Sequence, residues 1–200
     1  SCQFDALPID LMSLDAGKCG GPKGVGVVVA RHGVTLAPVL FGGPQESGLR
    51  PATENMAGIV GASTAIVSAQ QEYEAASERV AALRDELLEA LLAIDGVIVN
   101  GSREHRVANN INVSVLGVDS EFLTISLDAA GVAASTKSAC SGAGGGESAV
   151  VKAISGDAAR TSSTLRLTLG PVTTKADIQL AIETVSSTVH KLQQQMRTFV

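Results

Sequence analysis

No run of about 18 consecutive apolar residues occurs in this 200-residue sequence, and its opening, SCQFDALPID, lacks a charged stretch followed by an apolar one. Neither membrane insertion nor secretion is indicated, and a cytoplasmic location is expected. Clusters of basic residues are missing too. With 15 Lys+Arg against 20 Asp+Glu the formal net charge is −5, so no basic field is available to hold a nucleic-acid backbone, and nucleic acid is not expected as a direct ligand. Cysteine is scarce. Cys2, Cys19 and Cys140 are an odd number at wide spacing, which fits no disulfide framework. Without CxxC pairs or close histidines they fit no zinc site, and no metal is expected. The first residue is Ser rather than Met, and the chain reads as a fragment or a processed piece.

What is present is ordinary globular material. A hydrophobic content of 45% suffices for the core of one domain, or of one domain plus part of another. Residues 7–31 alternate short apolar runs around GKCGGPKGVG, a glycine and proline cluster that predicts a turn between extended segments, with Lys18 in the turn. From Asn55 to Ile94 the pattern is helical: Tyr73, Ala76, Val80, Leu83, Leu87, Leu91 and Ile94 recur at spacings of three and four, as a core-facing stripe does. Beyond the Asp-Gly at 95–96 a strand is expected at Val97 to Asn100, then another in which Ile111, Val113 and Val115 alternate. A helix runs from Ser120 to Gly131, VAAS leads into a loop, and a helix restarts near Ser148. Leu165, Leu167 and Leu169 share one face of a strand, which leaves Arg166 on the other. Thr174 and Asp177 form a capping box before a last helix with the stripe Ile178, Ile182, Val185, Val189, Leu192 and Met196. From Val97 the order β, β, α, β, α, β, α predicts a compact α/β domain with helices packed on a sheet.

Four places carry candidate chemistry. STKSACSGAGGGES, Ser135 to Ser148, sets Cys140 in a glycine-rich segment with nothing apolar to bury. The thiol is either an inert buried group or one held on a mobile arm. The same glycines do not match the Walker pattern, so a phosphate-cradling loop is excluded. Lys18 is either a solvated turn lysine or a Schiff-base lysine, which needs a backbone that lets a cofactor approach. Arg166 either pairs with a surface carboxylate or presents its fork to a substrate carboxylate. In GLRPATEN, Thr53 reads on its own as a helix cap.

Taken together, DLMSLDAGKCGGPKGVGVVVAR, FGGPQESGLRPATENMAGIVG, NNINVSVLGVDSEFLTISLDAAGVAASTKSACSG and TSSTLRLTLGPVTTKADI resemble, in order and spacing, the C-terminal half of the cysteine desulfurases. These are pyridoxal-phosphate (PLP) enzymes of the class V aminotransferases. The resemblance implies an α/β type I PLP-dependent transferase fold. Residues 1–74 would be a remnant of the PLP-binding large domain, with the Schiff-base lysine and the start of a long connecting helix. Residues 75–200 would be the C-terminal small domain with its mobile catalytic-cysteine loop. Matched motif by motif, Lys18 carries the cofactor covalently and Cys140 receives the substrate's sulfur as a persulfide. Arg166 holds the substrate carboxylate, with Asn112 also in the substrate site. Thr53 reaches the cofactor phosphate of the other subunit of a homodimer, and Gln3 matches, at a slightly short spacing, a glutamine that bonds the pyridoxal ring oxygen. The implied reaction removes sulfur from L-cysteine to give L-alanine, with the persulfide passed to a sulfur acceptor or scaffold protein for iron-sulfur cluster assembly or tRNA thiolation. The alternatives are a selenocysteine lyase or another class V transferase, and a non-catalytic truncated module that docks on a partner.

The sequence departs from the family's pattern in several places. Asp15 and Gly17 stand where the family has the Ser and His of Ser-x-His-Lys, and a carboxylate beside a phosphate is repulsive. LPIDLMS fuses two stretches that the family separates, and Ala52 replaces a usual glycine. The histidine that stacks on PLP and the aspartate that pairs with its ring nitrogen belong to the family's N-terminal half, and His32, His105 and His190 match no such position. The chain by itself is therefore expected to bind PLP weakly, to turn over no cysteine and to expose an apolar surface.

Overall fold

The computed structural model describes residues 3–136 and 147–198. The chain divides into two compact units, Ser1–Glu74 and Ala75–Val200. In the first, strands β1 (Leu11–Asp15) and β2 (Gly26–Ala30) form an antiparallel hairpin in register from Leu11 opposite Ala30 to Asp15 opposite Gly26. The alternation of Val27 and Val29 with Gly26 and Val28 suits strands half covered on one face. Arg31, just past β2, fastens the N-terminal segment. Its guanidinium donates to the carbonyls of Ile9 and Leu7, each at 3.0 Å, and lies 4.8 Å from the Phe4 ring centroid. The segment after the hairpin leaves Val39, Leu40 and Phe41 exposed.

Helix α1 (Met56–Leu92) is entered through Asn55, whose Oδ1 accepts the Gly58 N–H at 3.1 Å. Asn55, not Thr53, is the capping side chain. Its carbonyl end caps a free N–H two residues nearer to the first helical turn than Thr53 stands.

The second unit is built on a three-stranded antiparallel sheet in the order β3 (Val97–Val99), β4 (Asn110–Val115), β5 (Thr164–Thr168). One face supplies the core. Ile111, Val113, Val115, Leu165 and Leu167 pack with Leu87 and Leu91 of α1, Leu123 and Leu127 of α2 (Ser120–Ala129), and Ile178, Val185 and Val189 of α5 (Lys175–Thr198). The expected stripes converge here because helical spacing of three and four and strand spacing of two each deliver one apolar face. Helix α2 starts on Asp119, whose carboxylate accepts from the N–H groups of Glu121 and Phe122, and stops before Gly131 at φ +87°. The reciprocal bonds between Thr174 and Asp177 at the start of α5 form the expected capping box.

Two features differ from the sequence expectation. VAAS makes no strand of its own; only Ser135 bridges, antiparallel, to Arg166 on the free edge of β5. Between Ser148 and β5 the chain forms two short helices, α3 (Ala149–Ser155) and α4 (Ala158–Ser162), where one was expected. Gly156 closes α3 in the left-handed conformation, and Asp157 opens α4 by accepting from the N–H groups of Ala159 and Arg160. Five residues are too few to display a helical period.

Candidate active site

In the first unit, Lys18 ends a single 3-10 turn, Ala16–Lys18, that follows β1. The Asp15 carboxylate caps this turn by accepting the Gly17 N–H at 2.8 Å. Ala16 is buried, and its carbonyl accepts from the N–H groups of Cys19 (3.0 Å) and Gly21 (2.8 Å). The chain folds back so closely that a Cβ on Gly21 would stand 2.5 Å from that of Ala16, so only glycine fits there. Lys18 thus projects from a tightly tied turn. Its side chain is exposed and has no hydrogen bond or ion pair with the described residues. Gln3 and Thr53 are exposed as well, and no hydrogen bond joins either side chain to Lys18. The segment before Thr53 is held by Arg50, whose Nη1 donates to the carbonyls of Pro51, Ala52 and Thr53. Within it Ala52 takes φ +80°, a conformation that favours glycine.

In the second unit, Arg166 and Asn112 are brought together as direct cross-strand partners on the face of the sheet away from the core. Both main-chain groups of Arg166 go to Ser135, donating at 2.7 Å and accepting at 3.0 Å. Opposite Asn112 it therefore forms the non-hydrogen-bonded kind of antiparallel pair, in which side chains lie closest. The Arg166 side chain is half-buried, and among the described residues no carboxylate or carbonyl accepts from it. A half-buried guanidinium without a counter-ion among the described residues suits an incoming anion.

Asn112 is held from behind. Its Oδ1 accepts from Asn100 Nδ2 at 2.8 Å, and the Asn100 amide oxygen in turn accepts from Arg160. Arg106 fastens the main chain around them by donating to the carbonyls of Asn100 and Asn110. Burial and the neighbouring Arg84 guanidinium lower the Arg106 pKa, with Asp85 acting in the other direction. Asn100 and Arg160 were not singled out from the sequence. The Asn-Gly pair at 100–101 reads as a strand end, and Arg160 lies in a stretch without pattern.

Cys140 and the mobile arm expected to carry it lie outside the described residues. Its sequence position is five residues beyond Ser135, the residue that pairs with Arg166. Among the described residues no group of three or more His, Cys, Asp or Glu is placed to hold a metal ion, and no helix is long and apolar enough to cross a membrane.

The chain is 40% identical over 189 residues to the cysteine desulfurase IscS of Dictyoglomus turgidum, covering 94% of this chain and 48% of that protein. It is 40% identical over 186 residues to the cysteine desulfurase IscS of Methanosarcina thermophila, covering 93% and 46%. Among solved structures, a NifS-like protein superposes with a TM-score of 0.84 at 28% identity, covering 94% of this chain and 48% of that one. The chain thus spans about half the length of the curated relatives it matches. Residues 1–180 match the aminotransferase class-V family, and with a match over most of its length the chain belongs to that family.

Proposed function

We propose that this chain forms the small domain, residues 75–200, and part of the cofactor domain, residues 1–74, of a PLP-dependent cysteine desulfurase acting as a homodimer in the cytoplasm. The observation that carries the reading is Arg166. It is half-buried, lacks an anionic partner among the described residues, stands opposite Asn112 and pairs with Ser135 at the root of the segment that bears Cys140. A substrate carboxylate received by Arg166 and Asn112 would lie beside the start of the cysteine-bearing segment, and such charge-assisted bonds set orientation as well as affinity.

The exposed amine of Lys18, unengaged among the described residues, fits a group attached through that nitrogen, and the exposed Thr53 and Gln3 would supply donors to a phosphate and a ring oxygen. When bound, PLP would supply an electron-withdrawing ring that makes a proton on the substrate's Cα removable. Lys18 would hold the cofactor through its amine and, as a free amine, would serve as the base that moves that proton. The Cys140 thiolate then takes the substrate's sulfur. An S–S bond forms as the C–S bond breaks, the bonding pair stays with the carbon skeleton, and protonation there releases L-alanine. The persulfide left on Cys140 is passed to a sulfur acceptor or scaffold protein. The exposed Val39, Leu40 and Phe41 of the first unit are available to the rest of the cofactor domain.

The test joins this chain to the complementary N-terminal half and supplies PLP and L-cysteine. Alanine should form, and mass spectrometry should find one extra sulfur on the peptide containing Cys140. Cys140→Ser should lose both while keeping the cofactor's visible absorbance, and Lys18→Ala should lose that absorbance. Undiminished alanine formation by Cys140→Ser without added reductant would overturn the reading.

A further inference from the structure

The polar chain behind Asn112 has a direction, and an arginine sets it. Arginine donates hydrogen bonds and cannot accept them. Arg160 Nε at 3.2 Å and Nη2 at 2.6 Å both meet Asn100 Oδ1, so that end of the Asn100 amide must be its carbonyl. The Asn100 NH2 group then faces the other way, where Asn112 Oδ1 at 2.8 Å and Ser114 Oγ at 2.9 Å accept from it. Ser114 cannot reverse the order, because its hydroxyl proton goes to the Arg160 carbonyl at 2.8 Å. Asn100 is only 3% exposed, so water is a poor substitute for any of these partners. Arg160 is itself anchored by donating from Nη2 to the Val99 carbonyl at 2.8 Å.

Asn112 is thus obliged to turn its carbonyl towards Asn100, which leaves its NH2 as the end not engaged there, and Arg166 stands opposite Asn112 on β5. We propose that Arg160 is a positioning residue that acts through Asn100 to hold the Asn112 NH2 towards Arg166, so that amide and guanidinium present converging donors to one carboxylate. This rests on the reading that Arg166 receives the substrate carboxylate. Without the arginine the two amides are free to reverse together, and an outward Asn112 carbonyl would oppose an anion in the place where the NH2 attracts it.

Asn100→Asp separates polarity from packing. The carboxylate keeps the shape and pairs with Arg160, but it cannot donate to Asn112, so Asn112 must turn its NH2 inward. The experiment is NMR spectroscopy on the 15N-labelled 200-residue chain with sodium acetate as the probe. In the unsubstituted chain, nuclear Overhauser contacts should run from the Asn112 amide protons to the Arg166 side chain. Acetate should shift the Asn112 Nδ2 and Arg166 Nε signals along one saturation curve.

In Asn100→Asp the Asn112 contacts should move to residue 100 and acetate binding should weaken about tenfold, as expected for losing one hydrogen bond to a charged group. Arg160→Met should weaken acetate comparably, and Arg160→Lys, which still only donates, should recover part of the loss. Unchanged main-chain signals of Ile111, Val113 and Leu165 certify that the sheet is intact. Stronger contacts of the Asn112 amide protons to Asn100 than to Arg166 in the unsubstituted chain would overturn the proposal, as would wild-type acetate binding in Asn100→Asp. If Arg166→Ala keeps the acetate response, or the unsubstituted chain shows none, it is the carboxylate-holding reading of Arg166 that falls.

Discussion

Asp15 Oδ1 accepts the main-chain N–H of Gly17 at 2.8 Å, which sets a carboxylate at the head of the turn that ends on Lys18. A Cβ at 17 would stand 3.2 Å from that oxygen, so a larger residue there would make the exposed carboxylate shift by a few tenths of an ångström. Asp15 is thus a turn-forming group with an unfavourable charge for a phosphate. Asp15→Ser keeps a good cap and removes the charge. Titration followed by the cofactor's visible absorbance should show PLP binding tightened by about 1 kcal/mol, roughly fivefold, at low ionic strength. The gain should shrink in high salt, as an exposed charge effect must. Equal affinity of the two proteins at low salt would contradict this account.

Ala52 at φ +80° holds a conformation that costs a non-glycine residue about 1–2 kcal/mol, against roughly 0.5–1 kcal/mol of extra chain entropy lost by glycine on folding. Ala52→Gly should therefore stabilise the first unit by about 0.5–1 kcal/mol. Hydrogen exchange of the amides around residues 50–55 gives the measurement, and faster exchange in the variant would refute the strain.

Within the second unit, Leu127 has no exposed surface whereas Phe122 on the same helix is 67% exposed. Leu127→Ala empties part of the core beneath the sheet and should cost about 3 kcal/mol in urea unfolding. Phe122→Ala should change stability by less than about 0.5 kcal/mol despite the larger group removed. Similar losses from both would mean that α2 is not seated as described.

Sequence reading was strongest where period and chemistry coincide. The strict alternation of Leu165, Leu167 and Leu169 places Arg166 on the outer face, and the buried leucines confirm it. The Thr174 and Asp177 box is equally plain, because both partners lie within one turn of chain. The Asn100–Arg160 contact joins residues 60 positions apart, and no local pattern announces such a pair. Helix α4 escaped notice for a related reason, being too short for a period and set by the Gly156 and Asp157 caps. At the start of α1 both Thr53 and Asn55 are able caps, and only the course of the backbone selects Asn55. Ala52 reads in sequence as a mild replacement, and its positive φ turns it into a strained one.

The last prediction concerns acid and the start of α5. Asp177 Oδ2 accepts from both the main-chain N–H and the hydroxyl of Thr174, each at 2.8 Å, while Thr174 Oγ1 accepts the Asp177 N–H at 3.2 Å. The main-chain bond first and the hydroxyl bond second favour the ionised carboxylate and hold its pKa below the ordinary value, slightly opposed by desolvation. A carboxyl with a depressed folded pKa gives stability that is complete above its unfolded pKa of about 3.9 and is lost as the pH falls through the lower folded value. Protonation also removes a negative charge from the positive end of the α5 dipole. The first turn of α5 should accordingly exchange its amide hydrogens faster as the pH falls below about 4, after correction for the intrinsic rate. Asp177→Asn keeps a capping oxygen but cannot titrate, so it should flatten the corrected pH dependence at Thr174 and the next three amides while leaving β4 unaffected. An Asn variant that retains the full acid-dependent loosening would show that another carboxylate controls this helix end.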